Sequence, residues 1–228
     1  MVRAMQTAEK LLKTVCDRIT AAQVANQCAD KVKLLAVSKT FSAEKVMDFY
    51  QLGQRDFGEN YIQEWISKKK QLPSDIVWHV IGHVQRNKSK WVANEADWLH
   101  TLDGGALATR LNYQRPIDKQ PLQVCIEINI SGAMQKWGIK INELPMMIEQ
   151  VLSLPHLCLR GLMCVPDGEN PIQLIEQMQQ MKELFHQLKR EISTVDTLSM
   201  GMSNDLELAI AHGATFVRIG SALFGSRQ

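Results

Sequence analysis

Leu34-Leu-Ala-Val-Ser-Lys39 is apolar on both faces of an extended chain until it ends in a lysine. A strand with one wet face alternates apolar and polar residues. A strand covered by helices on both sides does not, and that is the condition of a parallel sheet. Val124-Cys-Ile-Glu-Ile-Asn-Ile130 has the same character. Outward from these two, apolar runs recur at 33–38, 55–58, 77–81, 98–101, 122–130, 157–163, 197–200 and 216–219. Helical periodicity fills the intervals at 43–52, 61–72, 88–96, 104–112, 143–153, 172–192 and 204–212, with Gly53 and Gly213 as stops. An amphipathic opening helix precedes them, over about 5–25. Eight such units predict an α/β fold, a (β/α)8 TIM-type barrel, as a single domain over residues 1–228. An open doubly wound sheet explains the alternation equally well, but it usually has fewer strands and does not gather the ends of strands one, seven and eight around one mouth. The polar residues favour closure. Lys39, Asn60, His83, Asp103, Ser131, Ser199 and Arg218 fall at or just after strand ends, where such a barrel carries its chemistry.

Composition narrows the functional classes. With 45% hydrophobic residues the chain can bury a substantial core. A net charge of +2, with acids and bases interspersed, gives no strong field for nucleic acid or membrane. Lys68-Lys-Lys70 and the stretch from Arg86 to Lys90 read as a solvated helix face and its approach. Lys10, Lys13, Asp17 and Arg18 stand among apolar positions near the start, which reads as a helix and not as a signal peptide. No run reaches the roughly 18 apolar residues that cross a bilayer. Cys16, Cys28, Cys125, Cys158 and Cys164 form no C-x-x-C pair and fit a reducing cytoplasm; the last three lie in apolar runs, where cysteine acts as a small hydrophobe.

Two turns near the C-terminus, Ser199-Met-Gly-Met-Ser203 and Arg218-Ile-Gly-Ser221, resemble backbone nests for a phosphate. In this barrel phosphate commonly binds after strands seven and eight. Ser203 and Asn204 also suit the N-cap of the helix that follows, with Glu207 completing a capping box. Capping alone explains neither Gly201 nor the second turn at Gly220-Ser221. Lys39 taken alone is an ordinary strand-end lysine. Facing a phosphate site, it becomes the one residue type able to form a Schiff base with a carbonyl, helped by a pKa lowered through partial desolvation. The combination points to a phosphorylated aldehyde. Arg218 faces either the barrel interior or an outer helix, and spacing leaves both open. His79 and His83 stand two strand periods apart, yet no carboxylate or cysteine completes a metal set at ligand spacing. Walker loop, G-x-S-x-G elbow and G-x-G-x-x-G fingerprint are all absent from the sequence.

Ala36-Val-Ser-Lys-Thr40, Phe57-Gly-Glu-Asn-Tyr-Ile-Gln-Glu64, Trp78-His-Val-Ile-Gly82 with Gln85 and Asn87-Lys88, Gly161-Leu-Met163, Ser199-Met-Gly-Met-Ser203, Val217-Arg-Ile-Gly220 and Phe224-Gly225 together resemble the YggS/PROSC family of pyridoxal phosphate homeostasis proteins. The resemblance spans nearly the whole chain. That family is similar to the barrel domain of alanine racemase and ornithine decarboxylase, the fold-type III group. The resemblance implies that pyridoxal 5'-phosphate (PLP) is held as a Schiff base on Lys39. It further implies that Asn60 and Met163 line the ring, that Ser203, Gly220 and Ser221 hold the phosphate, and that Arg218 faces the pyridine nitrogen. The sequence departs from the pattern at Phe41-Ser42, where many members have lysine and proline, and at His83-Val84; both lie at the rim.

The expected function is therefore intracellular PLP homeostasis, by storage, buffering or delivery, with no catalytic residues and no metal. Fold-type III enzymes draw part of their site from an additional β domain, and the sequence ends at Gln228, with no room for one after Gly225. Of the three tyrosines, Tyr61 alone lies near an expected mouth loop. The alternatives are a PLP-dependent racemase or decarboxylase and a Schiff-base aldolase of sugar phosphates. Expected partners are PLP, other B6 vitamers and, transiently, PLP-dependent apo-enzymes; a monomer is expected.

Overall fold

Residues 2–28 and 30–225 are described by a computed structural model, with side chains from Met5 onward. Helix α1 (Val2–Ala25) precedes strand β1 (Lys33–Val37). There follow α2 (Ala43–Gln51), β2 (Asp56–Glu59), α3 (Ile62–Lys69), β3 (Val77–Val80), α4 (Ser89–Glu95) and β4 (Trp98–Leu102). The second half runs α5 (Gly105–Gln114), β5 (Leu122–Glu127), α6 (Leu144–Leu152), β6 (Leu157–Met163), α7 (Pro171–Glu191), β7 (Thr197–Ser199), α8 (Leu206–Ala211), β8 (Phe216–Ile219) and α9 (Ser221–Phe224). The strands are all parallel and close in sequence order, β8 returning to β1 through Lys33↔Phe216 and Leu35↔Arg218. The open sheet is excluded by that closure.

Register sorts each strand into two sets. The outward residues, among them Ala36, Phe57, Trp78, Leu99 and Val217, pack under the helices and are buried. The indoles of Trp65 and Trp78 lie 6.4 Å apart in that shell. The inward residues include Gly58, His79, Trp98, Cys125, Met163, Ser199, Phe216 and Arg218, aligned across neighbouring strands. An interior holding two histidines, a serine and an arginine departs from the branched aliphatic filling usual in such barrels.

Three sequence expectations shift. β5 ends at Glu127 and not at residue 130, because the Asn129 carboxamide donates to the carbonyls of Ala133 (2.8 Å) and Lys136 (3.1 Å) and folds the chain back. α8 begins at Leu206; its N-cap position is Asp205, and Ser203 and Asn204 precede it. The basic run splits: Lys68 is 4% exposed whereas Lys70 faces solvent, since consecutive helical residues are about 100° apart and three cannot share a face. Among the described residues no helix is long and apolar enough to cross a membrane, and all five cysteines are free.

Candidate functional site

A cavity of about 670 Å³ opens at the C-terminal end of the barrel. Lys39, Asn60, Ser203, Arg218, Gly220 and Ser221 line it together, drawn from the ends of β1, β2, β7 and β8. Met163 does not line it; its side chain is buried inside the barrel against Trp98 and Cys125. Sequence reading missed other lining residues, notably Val37, Ile81, Met202 and Asp205. Val37 and Ile81 carry only the signal of strand alternation, which any inward residue shares.

Lys39 lies just beyond β1 in a backbone held from both sides. Ser38 Oγ donates to Glu59 Oε1 (2.6 Å), the Lys68 ammonium donates to the Ser38 carbonyl (2.9 Å), and Thr40 N donates to Glu64 Oε1 (2.7 Å). Lys68 also pairs with Glu59 and, one helical turn away on α3, with Glu64 (3.0 Å). Thr40 adopts φ +67°, a left-handed conformation costly for a β-branched residue, and the Glu64 contact fixes it there. Burial raises the Glu59 carboxyl above its ordinary value, with Lys68 and Ser38 opposing. This clamp was legible only as a Glu64/Lys68 pair at i,i+4 spacing.

The wall beside Lys39 is built from the two C-terminal turns, since β8 pairs with β1. Arg218 N donates to the Gly201 carbonyl (3.0 Å) and Ala222 N to Ser203 Oγ (3.4 Å), so the turns brace each other. Gly201 has φ +93°, and a Cβ there would lie 2.5 Å from Ala209 Cβ; glycine alone lets the turn close on α8. The carboxylate of Asp205 accepts from Met202 N (2.6 Å) and shapes the same turn. Arg18 of α1 reaches over to donate to the Ser203 carbonyl (3.1 Å) while pairing with Glu207 (2.7 Å). Glu207 thus braces α1 and is not half of a capping box.

Arg218 points inward, which spacing left open. It is 6% exposed and donates from Nη1 to Ser199 Oγ (2.9 Å) and from Nη2 to the Cys164 carbonyl (2.8 Å). Among the described residues no carboxylate lies within 4 Å of its guanidinium. Burial pulls its pKa below the ordinary value, with Cys164, Glu127 and Asp205 opposing. Asn60 Oδ1, on the same cavity, is buried and accepts no hydrogen bond. Glu127, at the inward end of β5, is 7% exposed with Oε2 likewise unpartnered; burial, reinforced by Asp103, pushes its carboxyl up to about 7.

The two histidines separate. His79 is inside the barrel, whereas His83 is at the rim, bonded to Asp103 (2.8 Å) and stacked on Trp137 at 3.6 Å between ring centres. Among the described residues no group of three histidines, cysteines or carboxylates is placed to hold a metal ion. Burial raises the thiols of Cys125 and Cys164, the latter to about 12.

The family described as alanine racemase, N-terminal domain, matches residues 19–228. A pyridoxal phosphate homeostasis protein of Pasteurella multocida is 48% identical over 216 residues, covering 91% of this chain and 92% of that protein. The structure of PipY from Synechococcus elongatus PCC7942 with PLP bound superposes with a TM-score of 0.82 at 30% identity, over 96% of this chain and 100% of that one. Alanine racemase of Corynebacterium glutamicum shares the fold, with a TM-score of 0.68 at 15% identity, over 98% of this chain and 61% of its own.

Proposed function

Since the chain belongs to the alanine racemase N-terminal domain family and, within it, to the pyridoxal phosphate homeostasis proteins, we propose that its mouth cavity binds pyridoxal 5'-phosphate and that the protein stores, buffers or delivers it in the cytoplasm. The observation that carries this reading is the convergence on one cavity of Lys39, a buried arginine with no ion pair among the described residues, and the small turns at Ser203 and Gly220-Ser221.

The residues fit the cofactor. A buried guanidinium with no carboxylate within 4 Å among the described residues favours an electron-rich acceptor, and Asn60 Oδ1 is an unfilled acceptor among those residues. When bound, PLP supplies an aldehyde that a lysine amine takes up reversibly. Lys39 would hold it through the ε-amine, with its position set by the Ser38 and Thr40 anchors. Ser203, Gly220 and Ser221 would take the phosphate with hydroxyl and backbone donors, Arg218 would face the pyridine ring, and Asn60 its polar edge. Val37 and Ile81 exclude water from the apolar face.

Handling in preference to turnover is supported by the ionisable lining. Among the described residues Lys39, Asp205 and Arg218 are its members, and Asp205 accepts from Met202 N through Oδ1. Moving a proton on each face of a bound amino acid requires an acid or base on each side. One observation favours a racemase or decarboxylase: Glu127, buried near neutrality, is a proton carrier close enough to act electrostatically on Arg218.

The test is the visible spectrum of purified wild type and Lys39→Ala, each reduced with borohydride and mapped by mass spectrometry. A yellow wild type with cofactor fixed on Lys39 and a colourless variant are expected. A wild type that cannot be loaded with PLP overturns the proposal. Exchange of the α-proton of added amino acids into deuterated water decides for the enzyme reading.

A further inference from the structure

Below the cavity, one line of side chains runs down the inside of the barrel to its opposite end. Arg218 Nη1 donates to Ser199 Oγ (2.9 Å), Ser199 Oγ meets His100 Nδ1 (2.8 Å), His100 Nε2 meets His79 Nδ1 (2.9 Å), and His79 Nε2 meets Asp56 Oδ1 (3.0 Å). His79, His100 and Ser199 are fully buried, and Asp56 is the solvent end, with its side chain 30% exposed. Trp98 stacks on His79 at 5.4 Å and 15°, and Phe216 meets His100 edge-on at 5.7 Å, so aromatic rings wall the line off.

The carboxylate end fixes every proton in the line. An arginine only donates and a carboxylate only accepts. With neutral rings, Asp56 takes the hydrogen of His79 Nε2, which leaves His79 Nδ1 to accept from His100 Nε2 and His100 Nδ1 to accept the one hydrogen of Ser199, whose oxygen receives Arg218 Nη1. Both rings thus carry their hydrogen on Nε2. No other arrangement satisfies all four contacts with neutral rings. Both histidines are held neutral by burial, which lowers their pKa; Asp56 opposes for His79, while His79 and Arg218 reinforce for His100. A second proton on either ring would turn the Ser199 hydroxyl into an acceptor from both His100 Nδ1 and Arg218, and so break the single direction of the line. A hydrogen-bonded chain polarised in one direction is stronger than its separate links.

We propose that Asp56, His79, His100 and Ser199 are positioning residues that form one proton-ordered relay, which orients Arg218 toward the cavity and ties the charge of the buried guanidinium to a carboxylate at the far end of the barrel. The relay rests for its functional consequence on PLP being the cavity's ligand, but its proton order is a property of the ligand-free protein. Ser199 carries two roles, since it opens the phosphate turn by sequence and terminates the relay by its hydroxyl.

The experiment has two arms. Long-range 1H–15N correlation spectra of ligand-free, 15N-labelled protein at neutral pH are expected to show His79 and His100 both neutral with the hydrogen on Nε2; a hydrogen on Nδ1 of either ring overturns the relay. PLP is then titrated into wild type, Ser199→Ala, Ser199→Thr and His100→Phe, with folding checked by circular dichroism. The dissociation constant is expected to rise about tenfold in Ser199→Ala and His100→Phe, the loss of roughly one good hydrogen bond, with a shifted visible band. Ser199→Thr, which keeps the hydroxyl, stays near wild type. Unchanged affinity and band in both disruptive variants overturn the proposal. If His100→Phe does not fold, Ser199→Ala carries the arm. If wild type itself takes up no PLP, the cofactor reading fails, and the relay is judged by the Arg218 Nε–H resonance of ligand-free Ser199→Ala: displaced if the relay orients Arg218, unmoved if it does not.

Discussion

At the scale of single residues, the site depends on groups whose roles are electrostatic and buried. Lys68 and Glu59 are 4% and 1% exposed, so removing Lys68 leaves Glu59 as an uncompensated charge out of water. Lys68→Met is expected to cost about 3–5 kcal/mol in urea unfolding. The pair Lys68→Met with Glu59→Leu recovers most of it, because no buried charge remains. Glu127 gives a pH signature. Its folded pKa of about 7 lies above the ordinary value of 4.5. Between these the unfolded chain has lost the proton and the folded one keeps it, so Glu127 makes stability fall as pH rises through that window. Glu127→Gln is therefore expected to be more stable than wild type at pH 8, by up to roughly 3 kcal/mol, relative to the difference at pH 4.5. Matched urea titrations at the two pH values check it. Lys39 was legible from the sequence only in company: alone it is an ordinary strand-end lysine, and the two phosphate-type turns at Gly201 and Gly220 singled it out. Lys68 was not, because nothing in Lys68-Lys-Lys70 says which member turns inward.

Among elements, the turn after β7 and helix α1 act as one support. Gly201→Ala forces a side chain at φ +93° and 2.5 Å from Ala209 Cβ, so the phosphate turn must open. PLP affinity is expected to fall at least tenfold while circular dichroism keeps its helical signal. Arg18→Ala tests the outer brace. Its pair with Glu207 is 33% and 50% exposed, so a stability loss of about 0.2–1 kcal/mol is expected, measured by urea midpoint and shrinking with added salt. Strand and helix existence was readable from periodicity, and β6 and β8 fall on the expected residues 157–163 and 216–219. The ends of β5 and α8 moved because side chains settled them, Asn129 on two carbonyls and Asp205 on Met202 N. Such contacts leave no periodic trace.

Across the whole molecule, the barrel has an interior that titrates. The lowered pKa of His79 and His100 has the opposite sign to that of Glu127: below the ordinary histidine value of 6.5 the unfolded chain binds protons that the buried rings refuse, so stability falls as pH drops below that point. Wild type therefore sums two opposed slopes. In Glu127→Gln one opposing group is gone while the raised Glu59 carboxyl remains, so stability is expected to change from pH 5 to pH 7 more in favour of the higher pH than in wild type, in thermal melts; the same pH slope in both proteins would show that Glu127 does not hold its proton in the fold. The sequence by itself determined the alternation, the parallel and doubly covered character of the strands, and the residue types at strand ends, because these follow from local periodicity and the cost of burying charge. The tertiary structure alone decided that Arg218 faces inward, that Lys68 is buried beneath Ser38, that Met163 leaves the cavity wall, and that Asp56, His79, His100 and Ser199 touch in line. Those are contacts between strands far apart in the chain, and they exist only once closure of the barrel fixes which face of every strand shares one interior.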